Sequence, residues 1–479
     1  MPTEKLNGYQ VAKIIETYDN SQYVTNEAYY QGSNPTILSK SYSGDPDNRV
    51  PLPFGRRTVL DIMGYAFKPG NVNYIFDTIE ENNEAEIEKI KEVFEDNREN
   101  MVSAEIFQDA LIKGEGAELV YWEGGESLPQ FVQIPREQCI FIYEDTVKRT
   151  LKYSIRYYTS TVINSDGKAD EIKHADVYYP DTIEFFERKK TATNETVDPQ
   201  IDTQTNTTEK TGAYTLVTEE PHFFGAVPLY PYRLNADRLG VFQPSIKMID
   251  AMDDMTSDSI LNALERFNDH YLALSKKLTA TDVENIKETH VFDDLGGREE
   301  GNFVEFINRV MDINSTLEGF KTYERLYYEL TGIPNLSDEK FHSQSGIAIL
   351  YALIPFENLV TTFEVYFNIG MQYRLNLLNT VLGTNLKAEI EWNRNLPVDI
   401  MSKINEIVTL KREGLISTET ALNRLPDQLI GDAEIEVEKI KAEKEENMAL
   451  FETNMSEPTE EEDETVNDPE VDEEDETRQ

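Results

Sequence analysis

The chain has 479 residues and a formal net charge of −45, from 90 Asp and Glu against 45 Lys and Arg. This length predicts about two to four structural units, and the strong negative charge argues against a surface that grips nucleic acid through its phosphates. The single cysteine, Cys139, cannot form an internal disulfide, as expected in a reducing cytoplasm, and neither a secretory signal nor a membrane-spanning apolar run is visible.

The first half of the chain predicts an α+β region. Residues 1–50 are expected to form an N-terminal arm, and residues 51–67 lead into a helix with apolar residues at three-to-four spacing. The run AELVYWEGGESLPQFVQI predicts a hairpin, because two strand-like segments flank a Gly-Gly turn. The runs LKYSIRYYTSTV and HADVYYPDTIEFFER predict more strands, and Cys139 in CIFIY is expected to be a buried apolar side chain.

A long helix is predicted over residues 244–275. Its apolar stripe has four, three, four, three spacing and consists of Ile260, Leu264, Phe267, Tyr271 and Leu274. Asp250, Asp254 and Asp258 recur every four residues on the same helix, and like charges at this spacing destabilise an isolated helix by a few tenths of a kcal/mol per pair. This acidic stripe is therefore expected to face water or a wet channel.

A small α/β excursion is predicted over residues 276–312, with a short helix, a strand VFDDL, a Gly-Gly turn and a strand NFVEFI. Its turn carries a charged rim of Asp293, Asp294, Arg298 and Glu299. A second long helix is expected over 313–333, and an irregular loop over 334–346. Two long helices thus flank a compact tip.

A very long helix is predicted over residues 347–384, although Pro355 lies inside it. Proline has no amide hydrogen and costs about 3 kcal/mol in a helix interior, so this helix is expected to bend, with Gly346 at its entry. Residues 385–440 predict a strand and two helices, with Gly414 ending the first helix and Ser417 capping the second. Residues 441–479 are acidic, almost without apolar side chains, and are expected to be disordered.

The order of these parts resembles the portal proteins of tailed double-stranded DNA bacteriophages, in the family typical of long non-contractile-tailed phages. The resemblance covers about residues 20–440 and rests on YYQGSNP, DNRVPLPFGRRTVLDIMGYAF, KGEGAELVYW, HFFGAVPLYPY, MIDAMDDMTSDSILNALERF and SGIAILYALIPFE. Each motif is short, and their collinear order makes the resemblance specific.

The resemblance implies a mainly helical α+β portal fold, assembled as a ring of twelve subunits with a central channel at one capsid vertex. Its parts would be a wing at 51–240 that also holds the kinked helix 347–384, stem helices at 241–275 and 313–333, a clip at 276–312, a tunnel loop at 334–346 and a crown at 385–440. The implied function is a DNA conduit for packaging and ejection that docks the terminase and later the head-completion proteins. No membrane is implied, and the location would be the portal vertex of the virion, after synthesis in the host cytoplasm.

The resemblance also gives roles to particular residues. Lys340, His342, Ser343 and Gln344 would be the DNA-facing part of the tunnel loop, the acidic stripe would line the channel, the charged rim of the clip would dock partners, and Gly346 and Pro355 would set the kink. Three of these roles have an alternative. The acidic stripe could be an ordinary solvated face, and the charged rim an unremarkable polar hairpin. The kinked helix could be a core helix without a mechanical role. Implied partners are the terminase large subunit, a head-completion or adaptor protein, the major capsid and scaffolding proteins, and duplex DNA without sequence specificity.

No catalytic, cofactor or metal motif is predicted. KGEGAE lacks the GxxxxGK[ST] pattern that cradles phosphates, and the five histidines have no metal-ligand spacing. The abundant carboxylates leave open a carbohydrate-processing enzyme with an acid–base pair. An acidic, non-portal capsid or scaffold interaction protein is the other alternative, which explains the charge and the tail but not the order of helices, clip and loop.

Overall fold

The computed structural model describes residues 5–42, 47–67, 70–76, 83–122, 127–163, 169–189, 213–264, 271–274, 304–307, 313–335, 346–394, 400–423 and 436–443, with a few isolated positions besides. Its helices are α1 (Gly8–Thr17), α2 (Ser21–Tyr30), α3 (Pro35–Ser39), α4 (Phe54–Ala66), α5 (Glu84–Asp96), α6 (Glu99–Lys113), α7 (Ile246–Asp254), α8 (Ile313–Thr331), α9 (Gly346–Ala352), α10 (Ile354–Leu382), α11 (Ile400–Arg412) and α12 (Thr418–Asn423). Its strands are β1 (Val72–Phe76), β2 (Glu115–Tyr121), β3 (Gln130–Gln133), β4 (Cys139–Tyr143), β5 (Leu151–Ile163), β6 (Ala169–Tyr178), β7 (Thr182–Lys189), β8 (Thr215–Pro221), β9 (Leu229–Arg233), β10 (Tyr271–Leu274), β11 (Val304–Ile307) and β12 (Ala388–Trp392). The predicted mixture of helix and sheet is confirmed.

Two antiparallel sheets contain eight of the twelve strands described. One has five strands in the order β4-β5-β6-β7-β8, and the other has three in the order β3-β2-β9. On β5 and β6, alternate residues such as Ile155 and Val177 pack against Val11 and Ala12 of α1. The hairpin predicted around EGGES is confirmed by the pairing of β2 with β3, and Cys139 is buried as predicted.

The helix α10 crosses this region and packs on β9. A cluster of aromatic rings surrounds Phe367, with centroids at 5.1 Å for Phe107 and 5.9 Å for Trp392. Gly370 allows the close approach, because a Cβ at that position would lie 2.3 Å from the ring of Tyr232. The middle of α10 is therefore fixed into the core of the α+β region.

Strand β12 joins a distant part of the chain. It pairs antiparallel with β1, so that Val72 lies opposite Trp392. One compact unit runs from Met1 to Asn395, and a second unit begins at Leu396. Strand β12 therefore completes a sheet with a strand more than 300 residues earlier, and the division at residue 385 stays a prediction.

The long helix predicted over 244–275 is also corrected. After α7 the chain is π-helical over Met255–Asn262, and Tyr271–Leu274 is a strand paired with β11. Short apolar runs such as YLAL fit a helix and a strand equally well, and pairing with Val304–Ile307 decides between them. The predicted strand NFVEFI is confirmed at 304–307, whereas VFDDL lies outside the described residues.

The helix predicted over 347–384 is interrupted next to its proline. Leu353 separates α9 from α10, and Pro355 lies in the first turn of α10, where a missing amide hydrogen is tolerated. Gly383, with φ 68°, ends α10 in the left-handed conformation that glycine adopts readily. Proline therefore starts a new helix here instead of bending the interior of a continuous one.

The second unit contains α11 and α12, and residues 436–443 are helical as well. Gly414 has φ 74°, and the Ser417 hydroxyl accepts a hydrogen bond from the amide of Thr420 at 3.0 Å. The predicted pair of helices, with its glycine stop and serine cap, is confirmed. The acidic tail from residue 444 onward lies outside the described residues.

Candidate functional site on the acidic helix

The acidic helix, formed by α7 and the π-helical residues 255–262, is held by residues 29–42 and 47–52, which we call the arm segment. Asp253 is the centre of this contact, because its side chain is fully buried. It accepts hydrogen bonds from Asn34 Nδ2 at 2.6 Å and from the Leu52 amide at 2.8 Å. Burial raises the pKa of Asp253 to about 6, and the two hydrogen bonds oppose that rise.

Asp250 is covered by the same segment. The Tyr29 hydroxyl and Asn34 Nδ2 donate to its carboxylate, the latter at 3.2 Å, and Lys247 lies 3.2 Å away. Only 12% of the Asp250 side chain is exposed. Burial, with help from the bond to Asp250, raises the pKa of Tyr29 well above its ordinary value. Asp250 therefore anchors the arm segment instead of facing open water.

Asp254 lies at the edge of the contact and keeps 41% of its side chain exposed. Lys40 Nζ lies 2.5 Å from its carboxylate, and the Tyr42 hydroxyl donates to it at 2.8 Å. Although partial burial acts in the opposite direction, these hydrogen bonds hold the pKa of Asp254 below its ordinary value. Asp258 is half-buried. The predicted acidic stripe is thus not one uniform face exposed to water.

The π-helical part receives the irregular end of the arm segment. The Val50 amide donates to Ser257 Oγ at 3.0 Å, and the Asn48 amide donates to Asn262 Oδ1 at 2.8 Å. Ser257 Oγ in turn donates to the Asp253 carbonyl at 2.7 Å, a bond that competes with regular helix geometry. Because the arm segment has no strand partner here, the helix side chains satisfy its backbone donors. The wider π turns also end the four-residue alignment of the aspartates after Asp254.

Sequence reasoning missed Asp253 as the principal contact of this helix. A signal was present, since Asp253 follows Ile249 by four residues and therefore lies on the apolar side of the helix. A carboxylate on an apolar face needs hydrogen-bond donors from elsewhere in the chain. The sequence pattern did not indicate which segment would supply them.

The remaining predicted site residues are mostly outside the described part of the chain. These are Lys340, His342, Ser343 and Gln344 of the predicted tunnel loop and Asp293, Asp294, Arg298 and Glu299 of the predicted clip. Gly346 is the first residue of α9, and Pro355 follows the interruption at Leu353. Within the described residues, no group of three or more His, Cys, Asp or Glu side chains could hold a metal ion.

A buried charge cluster joins α10 to β2 and α6. Arg374 has no exposed surface; its Nη2 lies 2.6 Å from Glu118, and its Nη1 lies 2.7 Å from Glu99. Ser103 Oγ accepts a further bond at 2.8 Å. Although burial acts in the opposite direction, Glu118 and its neighbours raise the pKa of Arg374 well above its ordinary value. The long helix is thus fixed to the sheet by a charge that must stay paired.

A second ion cluster lies on the flank of α10. Arg394, after β12, lies 2.7 Å from Glu357 and also pairs with Glu364. The hydrogen bonds from Arg394 lower the pKa of Glu357. All three charged residues of α10 (Glu357, Glu364 and Arg374) are therefore bound to partners within the chain.

These features define an α+β protein whose long helix α10 is anchored by ion pairs within the chain. The sequence matches the family described as phage portal protein, SPP1 Gp6-like, over residues 12–449, and the chain belongs to this family. It is therefore a portal protein, the head-to-tail connector at a capsid vertex, with a structural role. Family membership supports a portal protein over the non-portal scaffold protein, and it gives no support to the carbohydrate-processing enzyme.

Two solved structures are similar to the chain at low identity. One is the neck of an empty gene transfer agent particle, with 14% identity and a TM-score of 0.40, covering 78% of this chain and 90% of that one. The other is the virion of a native gene transfer agent particle, with 12% identity and a TM-score of 0.40, covering 85% and 94%. Among curated proteins the sequence has no match. In the described part of the chain, no helix is both long and apolar enough to cross a membrane.

Proposed function

We propose that copies of this chain form a ring, of twelve subunits in the virion, around a channel for double-stranded DNA. The ring replaces part of the capsid at one vertex, docks the terminase during packaging, and later binds the head-completion proteins and tail. The observation that carries this proposal is the family match over nearly the whole chain. The nine-residue helix α7 and the longer α8, which pack beside each other, are consistent with it.

The parts of the portal fold are assigned to the chain as follows. The acidic helix and α8 form the stem, residues 276–312 form the clip between them, and residues 334–346 form the tunnel loop. The wing comprises the two large sheets with α10, and the crown begins after Asn395, where the second unit starts. These assignments keep the predicted order and shift the start of the crown.

The charge of the chain suits a conduit that must release DNA. Duplex DNA carries one charge per ~1.7 Å of its axis, and each phosphate neutralised by Lys or Arg strengthens binding. A net charge of −45 opposes such binding, so the duplex slides with little friction. Because Asp250 is covered, we assign the channel-lining role to Asp254 and Asp258. The alternative is that these two residues form an ordinary solvated face. Lys340, His342, Ser343 and Gln344 would supply weak contacts, repeated around the ring.

The first test is the shape and mass of the purified full-length protein. Electron microscopy should show rings with a central opening, and the mass in solution should be a multiple of 55.0 kDa. A stable monomer without an opening, competent in packaging, would contradict the proposal.

A second test addresses docking at the clip. Reversing Asp293, Asp294 and Glu299 to Lys should weaken stimulation of the terminase ATPase, because a charged rim governs partner choice and association rate. Reversing Glu443, which the structure describes in the second unit, is the matched control and should leave that stimulation unchanged. Equal stimulation by both variants would contradict docking at the clip.

A third test concerns the interruption before Pro355. Pro355→Ala restores an amide hydrogen in the first turn of α10 and removes the steric barrier to one continuous helix through Leu353. We expect rings that assemble but package less DNA, measured as DNA protected from nuclease. Normal packaging would favour a structural break without a mechanical role.

A further inference from the structure

The outer face of α10 carries no charged side chain apart from Glu357, which is 39% exposed and paired with Arg394. Its 29 residues span about 43 Å, and the exposed side follows the helical repeat through Ile354, Asn358, Thr361, Val365, Ile369 and Asn376. Ile354, Val365 and Ile369 are 49%, 60% and 64% exposed. On the opposite side, Phe363 and Phe367 pack into the core.

The face is extended by α9, where Leu350 and Tyr351 are 52% and 69% exposed. The helix pair thus exposes apolar side chains on one side while its other side is already buried in the protein. A surface helix usually has a polar, charged outer side. Exposed apolar surface that continues along a helix marks a contact with another molecule.

The near-absence of charge on this face identifies the partner. The three charged residues of α10 are bound inward, to Glu118 and Glu99 for Arg374 and to Arg394 for the two glutamates. The face has no cation that could bind DNA phosphates, and its partly exposed anion, Glu357, is already paired with Arg394, so the face gives a basic protein little specific attraction. Two copies of a chain with net charge −45 repel each other, and an almost uncharged surface lowers the electrostatic cost of bringing them into close contact.

We infer that the outer face of α10, with Leu350 and Tyr351 of α9, is a subunit contact that packs against a second copy of this chain. This inference rests on the proposed ring and names a surface through which the ring is held together. A ring contact is heterologous, so this face meets a different surface of the next copy.

Site-specific labelling tests the contact. Ile369→Cys is introduced in the full-length chain, whose own Cys139 is fully buried, and the reaction of the introduced thiol with a maleimide is compared in assembled and separate subunits. We expect the reaction to be about tenfold slower in the assembly, as for a group in a packed interface core. Val147→Cys, at a fully exposed position on the β4–β5 turn, is the control and should react equally in both forms.

A charged substitution gives an independent measurement. Val365→Glu should abolish assembly without changing the far-ultraviolet circular dichroism, because a charge in an interface core loses its hydration without gaining a partner. Val147→Glu adds the same charge at a fully exposed position and should assemble like the wild type.

The outcomes separate this contact from the ring itself. Rings of the Ile369→Cys variant whose introduced thiol reacts as fast as in separate subunits would overturn the contact and leave the ring proposal intact. The thiol could instead become protected only after other head proteins are added. That result would assign the face to one of those proteins and would also overturn the proposed contact between subunits. A wild-type chain that stays monomeric would overturn both proposals.

Discussion

Arg374 gives the sharpest test of how α10 is fixed to the sheets. We consider Arg374→Met, which keeps a long side chain and removes the charge. In the wild type, the guanidinium donates to Glu118 at 2.6 and 2.9 Å, to Glu99 at 2.7 Å and to Ser103 at 2.8 Å. The variant leaves two buried carboxylates without their counter-charge.

Removal of one partner from a buried ion pair costs about 3–5 kcal/mol, because the remaining charge stays buried and uncompensated. Two carboxylates are affected here, so we expect a loss at the upper end of this range. Glu118→Gln in the same chain removes one stranded charge and should recover about 1–3 kcal/mol. The recovery distinguishes an electrostatic loss from a simple packing defect.

Urea unfolding followed by tryptophan fluorescence measures the effect. The chain has two tryptophans, and in a Trp122→Phe background the signal comes from Trp392, which packs against Phe67 and Phe107 in the core that α10 crosses. Arg57→Met is the matched control, because Arg57 is half exposed and pairs with Asp61 one turn away. Its loss should not exceed about 0.5 kcal/mol.

The expected result is a large shift of the unfolding midpoint for Arg374→Met and almost none for Arg57→Met. A loss below about 1 kcal/mol for Arg374→Met would refute the argument that a paired charge fixes α10. Failure of Glu118→Gln to restore any stability would refute the electrostatic explanation and leave packing as the cause.

Other predictions concern single contacts. Burial raises the pKa of Asp253 from 3.8 to about 6, so its stabilising contribution is complete below about pH 4 and is lost as the pH rises through 6. The difference in unfolding free energy between the wild type and Asp253→Asn should therefore fall by at most about 3 kcal/mol over that range. A difference that does not change with pH would contradict the burial of this carboxyl. Gly370→Ala should cost about 1–3 kcal/mol because its Cβ meets the Tyr232 ring, whereas Gly64→Ala, with open space at its Cβ, should be neutral or stabilising in the same urea unfolding assay. Ser417→Ala should lower the local stability of α12 by about 1 kcal/mol, seen as faster amide exchange in that helix only; unchanged exchange would show that the cap contributes nothing.

The sequence by itself determined the local elements and the family. The runs LKYSIRYYTSTV and HADVYYPDTIEFFER predicted β5, β6 and β7 of the five-stranded sheet, the EGGES turn predicted a hairpin, and Gly414 and Ser417 marked the end and start of two helices. These features depend on the φ and ψ preferences of a few neighbouring residues, so a short window of sequence contains their cause. The collinear motifs predicted a portal protein, which the family match confirms.

Only the tertiary structure decided which distant surfaces meet. Helical spacing placed Asp250, Asp254 and Asp258 in a row, but it carried no information that the arm segment covers Asp250 and binds Asp253. The same holds for Arg374, whose partner Glu118 is 256 positions away, and for β12, which pairs with β1. Such pairs leave no periodic signal, because their free energy comes from burying two surfaces together and not from the conformation of either segment alone.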